Sequence, residues 1–189
     1  MLMPKPDAAV IAGRGAIAAD LRRLCAASDA VIESEDERRV YESDGLTAYR
    51  ARPLLVVLPS TTEEVSRILA YCDKTGLKVV PRGAGTSLSG GSLPLEDGII
   101  LGLAKFNRVL EIDYDNRCAV VQPGVTNLGI TAAVQHAGFY YAPDPSSQIA
   151  CSIGGNVAEN AGGVHCLKYG LTVHNVRRVR AVLIDGEPI

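Results

Sequence analysis

The chain has 189 residues, of which 47% are hydrophobic and 21% charged, so it can bury a core as one domain or two small lobes. Its net charge of −2, with scattered Lys and Arg, excludes sequence-independent attraction to nucleic acid or anionic lipid. The longest aliphatic run, residues 54–58, is too short to span a bilayer, and no signal peptide is recognisable, so we expect a cytoplasmic protein.

The first 50 residues read as a helical lead-in, with helical periodicity from Ala16 followed by a polar stretch. Residues 54–58 (LLVVL) then predict a buried strand that Pro59 closes. A helix follows, with Thr61 and Glu64 at capping-box spacing and Gly76 as its stop. A second strand begins at Lys78, so the sequence predicts a βαβ unit.

Further short strands are predicted from Gly98, Arg108 and Cys118. Residues 125–139 predict a helix that Thr126 caps, and Ser152 begins a glycine-rich helical turn. Residues 176–184 alternate like a strand with one exposed face and run into an Asp185-Gly186 hairpin turn. The fold class predicted from these elements is α+β.

The cysteines are odd in number and show no CxxC spacing. This pattern indicates reduced, buried thiols rather than a disulfide scaffold or a zinc site. They are Cys25, Cys72, Cys118, Cys151 and Cys166.

A glycine-rich stretch, VVPRGAGTSLSGG at residues 79–91, follows the second strand. Glycine exposes backbone N–H groups, and successive unpaired N–H groups at the end of a strand hold anionic oxygens. The stretch therefore predicts a phosphate cradle, although a plain flexible loop remains the alternative.

Two common phosphate motifs do not fit this stretch. A P-loop counted from Gly85 would need lysine where Gly91 stands. A dinucleotide fingerprint counted from Gly83 has Leu88 at its third glycine position, and the residues after it cannot form a regular helix. The pattern argues against nucleotide triphosphate hydrolysis.

A competing hypothesis places a nicotinamide- or flavin-binding Rossmann fold at the N-terminus. Gly13, Gly15 and Ala18 have GxGxxA spacing, a helix follows them, and Glu33 comes about 20 residues later. The leading strand would be very short, and the third strand of such a fold does not follow at the expected distance.

Five blocks in this order carry a family resemblance: PRGAGTSLSGG, VVQPGV, PDPSSQ, CSIGGNVAENAGG and HCLKYG. Together they resemble the flavin domain of the FAD-linked oxidases of the vanillyl-alcohol oxidase and p-cresol methylhydroxylase type, and most of all the glycolate oxidase, D-lactate and D-2-hydroxyacid dehydrogenase branch. The resemblance implies a two-lobed α+β domain, with lobes at about 51–112 and 113–189, that binds FAD between the lobes. It also implies hydride transfer from a small 2-hydroxy acid to the flavin.

The resemblance further implies which residues bind FAD. The strand end and loop would hold the pyrophosphate, PDPSSQ would line the dinucleotide, and the second glycine turn and its continuation would form the flavin wall. These residues are Pro81, Arg82, Gly83, Ala84, Gly85, Thr86, Ser87, Gly90, Pro143, Asp144, Ser146, Ser147, Gly154, Gly155, Asn160, Gly162, Gly163, Tyr169 and Gly170.

Thr86 stands where family members with covalent flavin often carry histidine, so we expect FAD to be bound non-covalently. His165 is a candidate neighbour of the isoalloxazine, whereas His136 and His174 have no functional pattern around them. No residues have metal-ligand spacing, and the sequence does not identify a catalytic base.

The resemblance implies further sequence after residue 189. In the family a substrate domain with the catalytic base and metal-binding histidines follows the flavin domain. We therefore interpret the chain as a fragment truncated at its C-terminus, inactive alone, with companion subunits of a glycolate-oxidase-like complex as candidate partners. The alternative hypothesis is a binding or assembly module without turnover.

Overall fold

The computed structural model describes residues 3–189, which fold into helices and strands that form two compact units. The first unit comprises the described residues up to Leu103 together with Arg180–Ile189, and the second comprises Ala104–Val179. The first unit thus includes the predicted helical lead-in and the C-terminal hairpin. The lobe boundary expected near residue 112 stays a prediction.

The first unit contains a four-stranded sheet with helices. In chain order its elements are α1 (Ala8–Ala12), α2 (Arg14–Leu24), β1 (Val31–Ile32), α3 (Glu35–Arg39), β2 (Leu55–Val57), α4 (Thr62–Thr75), β3 (Lys78–Arg82) and β4 (Gly98–Gly102). The strand order is β1-β2-β4-β3. Strands β2 and β3 both run parallel to β4, and β1 runs antiparallel to β2.

Strand β4 lies at the centre of this sheet and is buried along its whole length. Its Ile99 and Ile100 lie beside Leu55 and Val56 of β2 in the parallel register. Ile68 of α4 is also fully buried. A parallel strand that is covered on both faces reads as a continuous apolar run, which explains why GIILG and LLVVL show no alternation.

Helix α4 forms as the sequence predicts. The Thr61 hydroxyl accepts a hydrogen bond from the Glu64 N–H (3.2 Å), and Gly76 ends the helix in the left-handed region at φ +68°. The Glu64 carboxylate accepts from the N–H groups of Ser60 and Ala26 (2.6 and 2.8 Å). The helix and strands β2 and β3 confirm the βαβ unit, with β4 between its two strands.

The Rossmann hypothesis at the N-terminus is wrong. The segment that would be its leading strand is helix α1, whose first turn is capped by the Asp7 carboxylate through the Ala9 N–H (2.8 Å). Gly13 has φ −78° and joins two helices rather than a strand and a helix. A dinucleotide fingerprint requires a strand directly before its glycines. Because a helix takes the place of that strand, Gly13, Gly15 and Ala18 do not form such a fingerprint.

The second unit contains a two-stranded antiparallel sheet, four α-helices and a short 3-10 helix (Gln135–Ala137) within residues 104–179. Its strands and α-helices are β5 (Val109–Asp113), β6 (Cys118–Val121), α5 (Asn127–Val134), α6 (Ile153–Glu159), α7 (Cys166–Tyr169) and α8 (Thr172–Asn175). Thr126 caps α5 as predicted, since its hydroxyl accepts from the Gly129 N–H (3.0 Å). A small core of Val125, Ile130 and Ile153 lies under β5 and β6.

The predicted strand at 176–184 is largely wrong. Residues 176–180 form no strand, and pairing is limited to a bridge between Val182 and Pro188. The turn at Asp185-Gly186 is confirmed, with Gly186 at φ +89° and the Leu183 N–H donating to the Glu187 carbonyl (2.8 Å). A segment with an alternating pattern forms a strand only where another segment pairs with it. Within the described chain, only residues 187–189 pair with this segment.

The five cysteines all lie among the described residues and form no disulfide; Cys72 and Cys151 are buried, and Cys25, Cys118 and Cys166 are partly exposed. Burial therefore holds for two of them rather than for the whole set. Across residues 3–189, no helix has both the length and the apolar character needed to cross a membrane.

Candidate cofactor-binding site

The glycine-rich loop begins directly where β3 ends, at the carboxyl end of a parallel strand. Gly85 and Gly90 have φ of +72° and +82°, a region that residues with a side chain rarely adopt. The two glycines let the chain turn away from the sheet while its backbone stays accessible, since residues 83–88 are all half-buried or exposed.

The N–H groups of residues 83–88 donate no hydrogen bond to any part of the chain between residues 3 and 189. The next N–H groups are occupied, since Ser89 donates to the Ser87 hydroxyl (3.2 Å) and Gly90 to the Asp44 carboxylate (3.0 Å). Consecutive unpaired N–H groups at a strand end suit an anionic oxygen ligand. The loop therefore fits the pyrophosphate of FAD.

Arg82 lies beneath this loop rather than at the surface, with 9% of the residue exposed. Its guanidinium donates to the carbonyl oxygens of Tyr41 and Ser92 (3.4 and 3.2 Å). Burial lowers the pKa of Arg82, and the charge of Asp44 partly opposes that effect. A cation held by neutral acceptors adds positive potential under the free N–H groups.

In the second unit, a pair of buried amides fixes the start of the PDPSSQ segment. The Asn127 amide donates to the Pro143 carbonyl (2.8 Å), and the Asn156 amide donates to the Asn127 side-chain oxygen (2.5 Å). Asn127 and Asn156 are 2% and 4% exposed. Sequence reasoning missed both residues, because Asn in the first turn of a helix reads as a capping residue.

Asp144 and His165 form a second link inside the same unit. The Asp144 carboxylate accepts from the His165 backbone N–H (3.2 Å) and lies 2.5 Å from its Nδ1. The hydrogen bond from the His165 side chain holds the pKa of Asp144 below its usual range. A Cβ on Gly163 would collide with the Asp144 backbone, so glycine is needed for this approach. The two segments predicted to contact FAD are thus joined.

The glycines of α6 differ in what surrounds them. Gly154 lies against Pro123, where a Cβ would be 2.7 Å from the proline Cβ, and its N–H donates to the Pro123 carbonyl (2.8 Å). The space beside Gly155 is open, with the Ser152 hydroxyl 3.6 Å from where a Cβ would lie. Close packing inside the unit therefore accounts for Gly154, whereas Gly155 leaves its backbone accessible.

The other predicted residues of this unit lie in its turns. Asn160 has φ +51° and accepts from the Val173 N–H (3.0 Å), and Gly162 lies against Leu171. Ser146 and Ser147 belong to the turn after Pro145, in which the Ser147 carbonyl accepts from Ala150 and Cys151. These hydrogen bonds and packing contacts fix the conformation of the segments. That these residues contact FAD stays a prediction.

Tyr169 and Gly170 end helix α7. The Tyr169 ring meets the Tyr140 ring edge-on at 6.1 Å, and the Lys168 ammonium lies 5.0 Å from its centroid. Hydrogen bonding with Tyr140, followed by that with Lys168, lowers the pKa of the Tyr169 hydroxyl. Gly170 takes φ +80°, which turns the chain into α8. No group of three or more His, Cys, Asp or Glu among the described residues could hold a metal ion.

Comparison with known proteins places the chain in a family. The profile of the FAD binding domain family matches residues 53–189, and the chain belongs to that family. It is 60% identical over 159 residues to the glycolate oxidase subunit GlcD of Escherichia coli (strain K12), covering 84% of this chain and 32% of that protein. It is 42% identical to the D-lactate dehydrogenase of Archaeoglobus fulgidus, covering 84% of this chain and 36% of that protein.

Solved structures show the same fold. The match to p-cresol methylhydroxylase has a TM-score of 0.79 at 20% identity and covers 100% of this chain and 37% of that one. The match to the 4-ethylphenol oxidase of Gulosibacter chungangensis also has a TM-score of 0.79, at 27% identity, covering 100% of this chain and 36% of that one. The fold is that of the FAD-binding domain of p-cresol methylhydroxylase-type flavoproteins, and the chain spans about a third of the length of its relatives.

Proposed function

We propose that this FAD-binding domain serves a flavin-dependent oxidoreductase that oxidises a small 2-hydroxy acid such as glycolate or D-lactate. The observation that carries the proposal is the run of free N–H groups at residues 83–88, in a chain that belongs to an FAD-binding family. The substrate class is supported by the names of the relatives, glycolate oxidase subunit GlcD and D-lactate dehydrogenase.

Within this proposal the residues of the chain bind and orient the cofactor. The N–H groups of residues 83–88 hold the pyrophosphate, and the buried Arg82 guanidinium adds positive potential beneath them. In the second unit, the remaining predicted contacts come from Pro143, Asp144, Ser146, Ser147, Gly154, Gly155, Asn160, Gly162, Gly163, Tyr169 and Gly170. When bound, FAD would supply the capacity to accept a hydride, which no side chain has.

We also propose that the enzyme works with companion subunits. The support is that two relatives, from Escherichia coli at 60% identity and from Bacillus subtilis at 44%, are each named as a subunit of glycolate oxidase. The matched segment covers 84% of this chain for the Escherichia coli protein and 83% for the Bacillus subtilis protein. The proposal concerns the whole enzyme, because the matched segment spans only 32% and 33% of these two relatives.

The function is tested by the absorbance of the protein of natural length, purified and supplied with FAD. We expect flavin bands that bleach without oxygen when glycolate or D-lactate is added, because a substrate held at the flavin reduces it. L-lactate, the enantiomer of D-lactate, serves as the control for stereospecific binding of the substrate. Flavin bands that persist with every 2-hydroxy acid tried would contradict the proposed substrate class, and absence of bound flavin would contradict the FAD site.

Non-covalent binding gives a second test. Thr86 has no ring nitrogen that could join the flavin, so heat or acid should release the whole flavin into the supernatant. The measurement is the flavin absorbance of the supernatant and of the washed, redissolved precipitate. Flavin that stays with the polypeptide would show a covalent link at a residue other than Thr86.

A further inference from the structure

A segment upstream of the family match, residues 41–46, packs against the glycine-rich loop within the first unit. The family profile begins at residue 53, so these residues lie outside the part of the chain that defines the domain. The segment is itself fixed at its base, because the Ala51 N–H donates to the Glu42 carbonyl (2.9 Å) and the Tyr41 N–H to the Arg38 carbonyl (3.0 Å).

Asp44 makes the polar contact of this segment with the loop. Its carboxylate, on a residue that is 5% exposed, accepts from the N–H of Gly90 and from the N–H of Leu46, both at 3.0 Å. One carboxylate oxygen thus fixes the end of the glycine-rich loop, and the other fixes the turn that contains Asp44 itself. Bonds from N–H groups to a buried carboxylate are stronger than those between neutral partners.

Gly45 makes the close backbone contact. A Cβ at this position would lie 2.8 Å from the Thr86 carbonyl oxygen and 3.0 Å from that of Ser87. The backbone of Gly45 therefore touches the carbonyl side of the loop. The carbonyl oxygens of Thr86 and Ser87 thus lie next to Gly45, while the N–H groups of residues 83–88 donate to no described group.

Tyr41 contacts Arg82, the last residue of β3, where the glycine-rich loop begins. Its carbonyl accepts from the Arg82 guanidinium (3.4 Å), whose central carbon lies 5.7 Å from the centroid of the Tyr41 ring. The loop from Arg82 to Gly90 is thus attached to residues 41–46 at its start, its middle and its end. Contacts of this kind fix a backbone conformation before a ligand arrives.

We propose that residues 41–46 are part of the FAD site and that Asp44 is its positioning residue: by holding Gly90 it keeps the N–H groups of residues 83–88 arranged for the pyrophosphate. Asp44 and Gly45 do not touch the cofactor in this scheme and act through the loop. The inference rests on the proposed function, because it concerns the affinity for FAD.

The test is the dissociation constant for FAD of Asp44→Ala, Asp44→Asn and Gly45→Ala in the protein of natural length, measured by quenching of flavin fluorescence. We expect Asp44→Ala to weaken binding by about 10- to 100-fold, the effect of losing a charged hydrogen bond. Asp44→Asn keeps one acceptor oxygen and should restore part of the affinity. Gly45→Ala should also weaken binding although it changes no charge.

Two controls separate positioning from general stability. Each affinity is measured at a temperature at which circular dichroism shows the FAD-free variant fully folded. Asp36→Asn removes a carboxylate of the same unit that is 91% exposed, and should bind FAD like the wild type. Wild-type affinity in Asp44→Ala and Gly45→Ala, with only a lowered melting temperature, would overturn the inference. A wild-type protein that binds no FAD would overturn the proposed function and this inference with it.

Discussion

The substitution Gly85→Val should reduce FAD affinity by about 100-fold or more while the protein remains folded. Gly85 has φ +72°, and a Cβ there would lie 2.6 Å from the central carbon of the Arg82 guanidinium. A β-branched residue therefore shifts the loop both by backbone strain and by collision with a buried, hydrogen-bonded side chain. Flavin titration followed by fluorescence measures the loss.

A matched control exists for the backbone strain. Gly76 has φ +68°, and no atom lies within 4 Å of the position of its Cβ, so Gly76→Val introduces similar strain at the end of α4 without touching the loop. That variant should lose stability and keep its FAD affinity. Gly13→Val, in the refuted fingerprint, should likewise leave flavin binding almost unchanged. Equal affinity of Gly85→Val and the wild type would show that the pyrophosphate lies elsewhere.

The second large effect is expected for Asn127→Ala, which should lower the free energy of unfolding by about 3 kcal/mol. Truncation leaves the Asn156 amide and the Pro143 carbonyl without their partner in a buried place, and unpaired buried polar groups are costly. The measurement is urea denaturation followed by circular dichroism. FAD affinity should fall as well, because Pro143 begins a segment that we expect to line the cofactor.

An exposed asparagine of the same unit provides the comparison. Asn116 donates to the Asp113 carboxylate (2.7 Å) at the surface, and Asn116→Ala should cost less than about 1 kcal/mol because water replaces the lost contact. A double-mutant cycle with Asn156→Ala should show strong coupling to Asn127. If Asn127→Ala and Asn116→Ala were equally stable, the buried amide pair would not carry the stability assigned to it.

The elements that the sequence predicts well are those whose signals are local. Helix α4 has its cap at Thr61 and its stop at Gly76, both within a turn of the helix that they limit. The loop after β3 is equally local, because glycines directly after an apolar strand already indicate accessible backbone. The order of five motif blocks then predicts the family, which the match to residues 53–189 confirms.

The features that could not be predicted depend on distant partners. Asp44 reads as part of an Asp-Gly turn, and only the fold brings it to Gly90, 46 residues later in the chain. Ala8–Ala12 is short and apolar, a pattern shared by strands and helices, and the capping contact of Asp7 decides in favour of the helix. The alternation at 176–184 was misleading because pairing requires a neighbour that the local sequence does not reveal.

The position of β4 has a consequence for how the nascent chain acquires its structure. Strands β2 and β3 come first in the chain, yet neither pairs with the other, since each is hydrogen-bonded to β4. When residues up to 97 have left the ribosome, the segments of β2 and β3 are therefore present. The strand β4, which lies between them in the sheet, is still missing. The sheet can close only after residues 98–102 emerge, so until then β2 and β3 each keep an unpaired edge, and such edges are prone to aggregation.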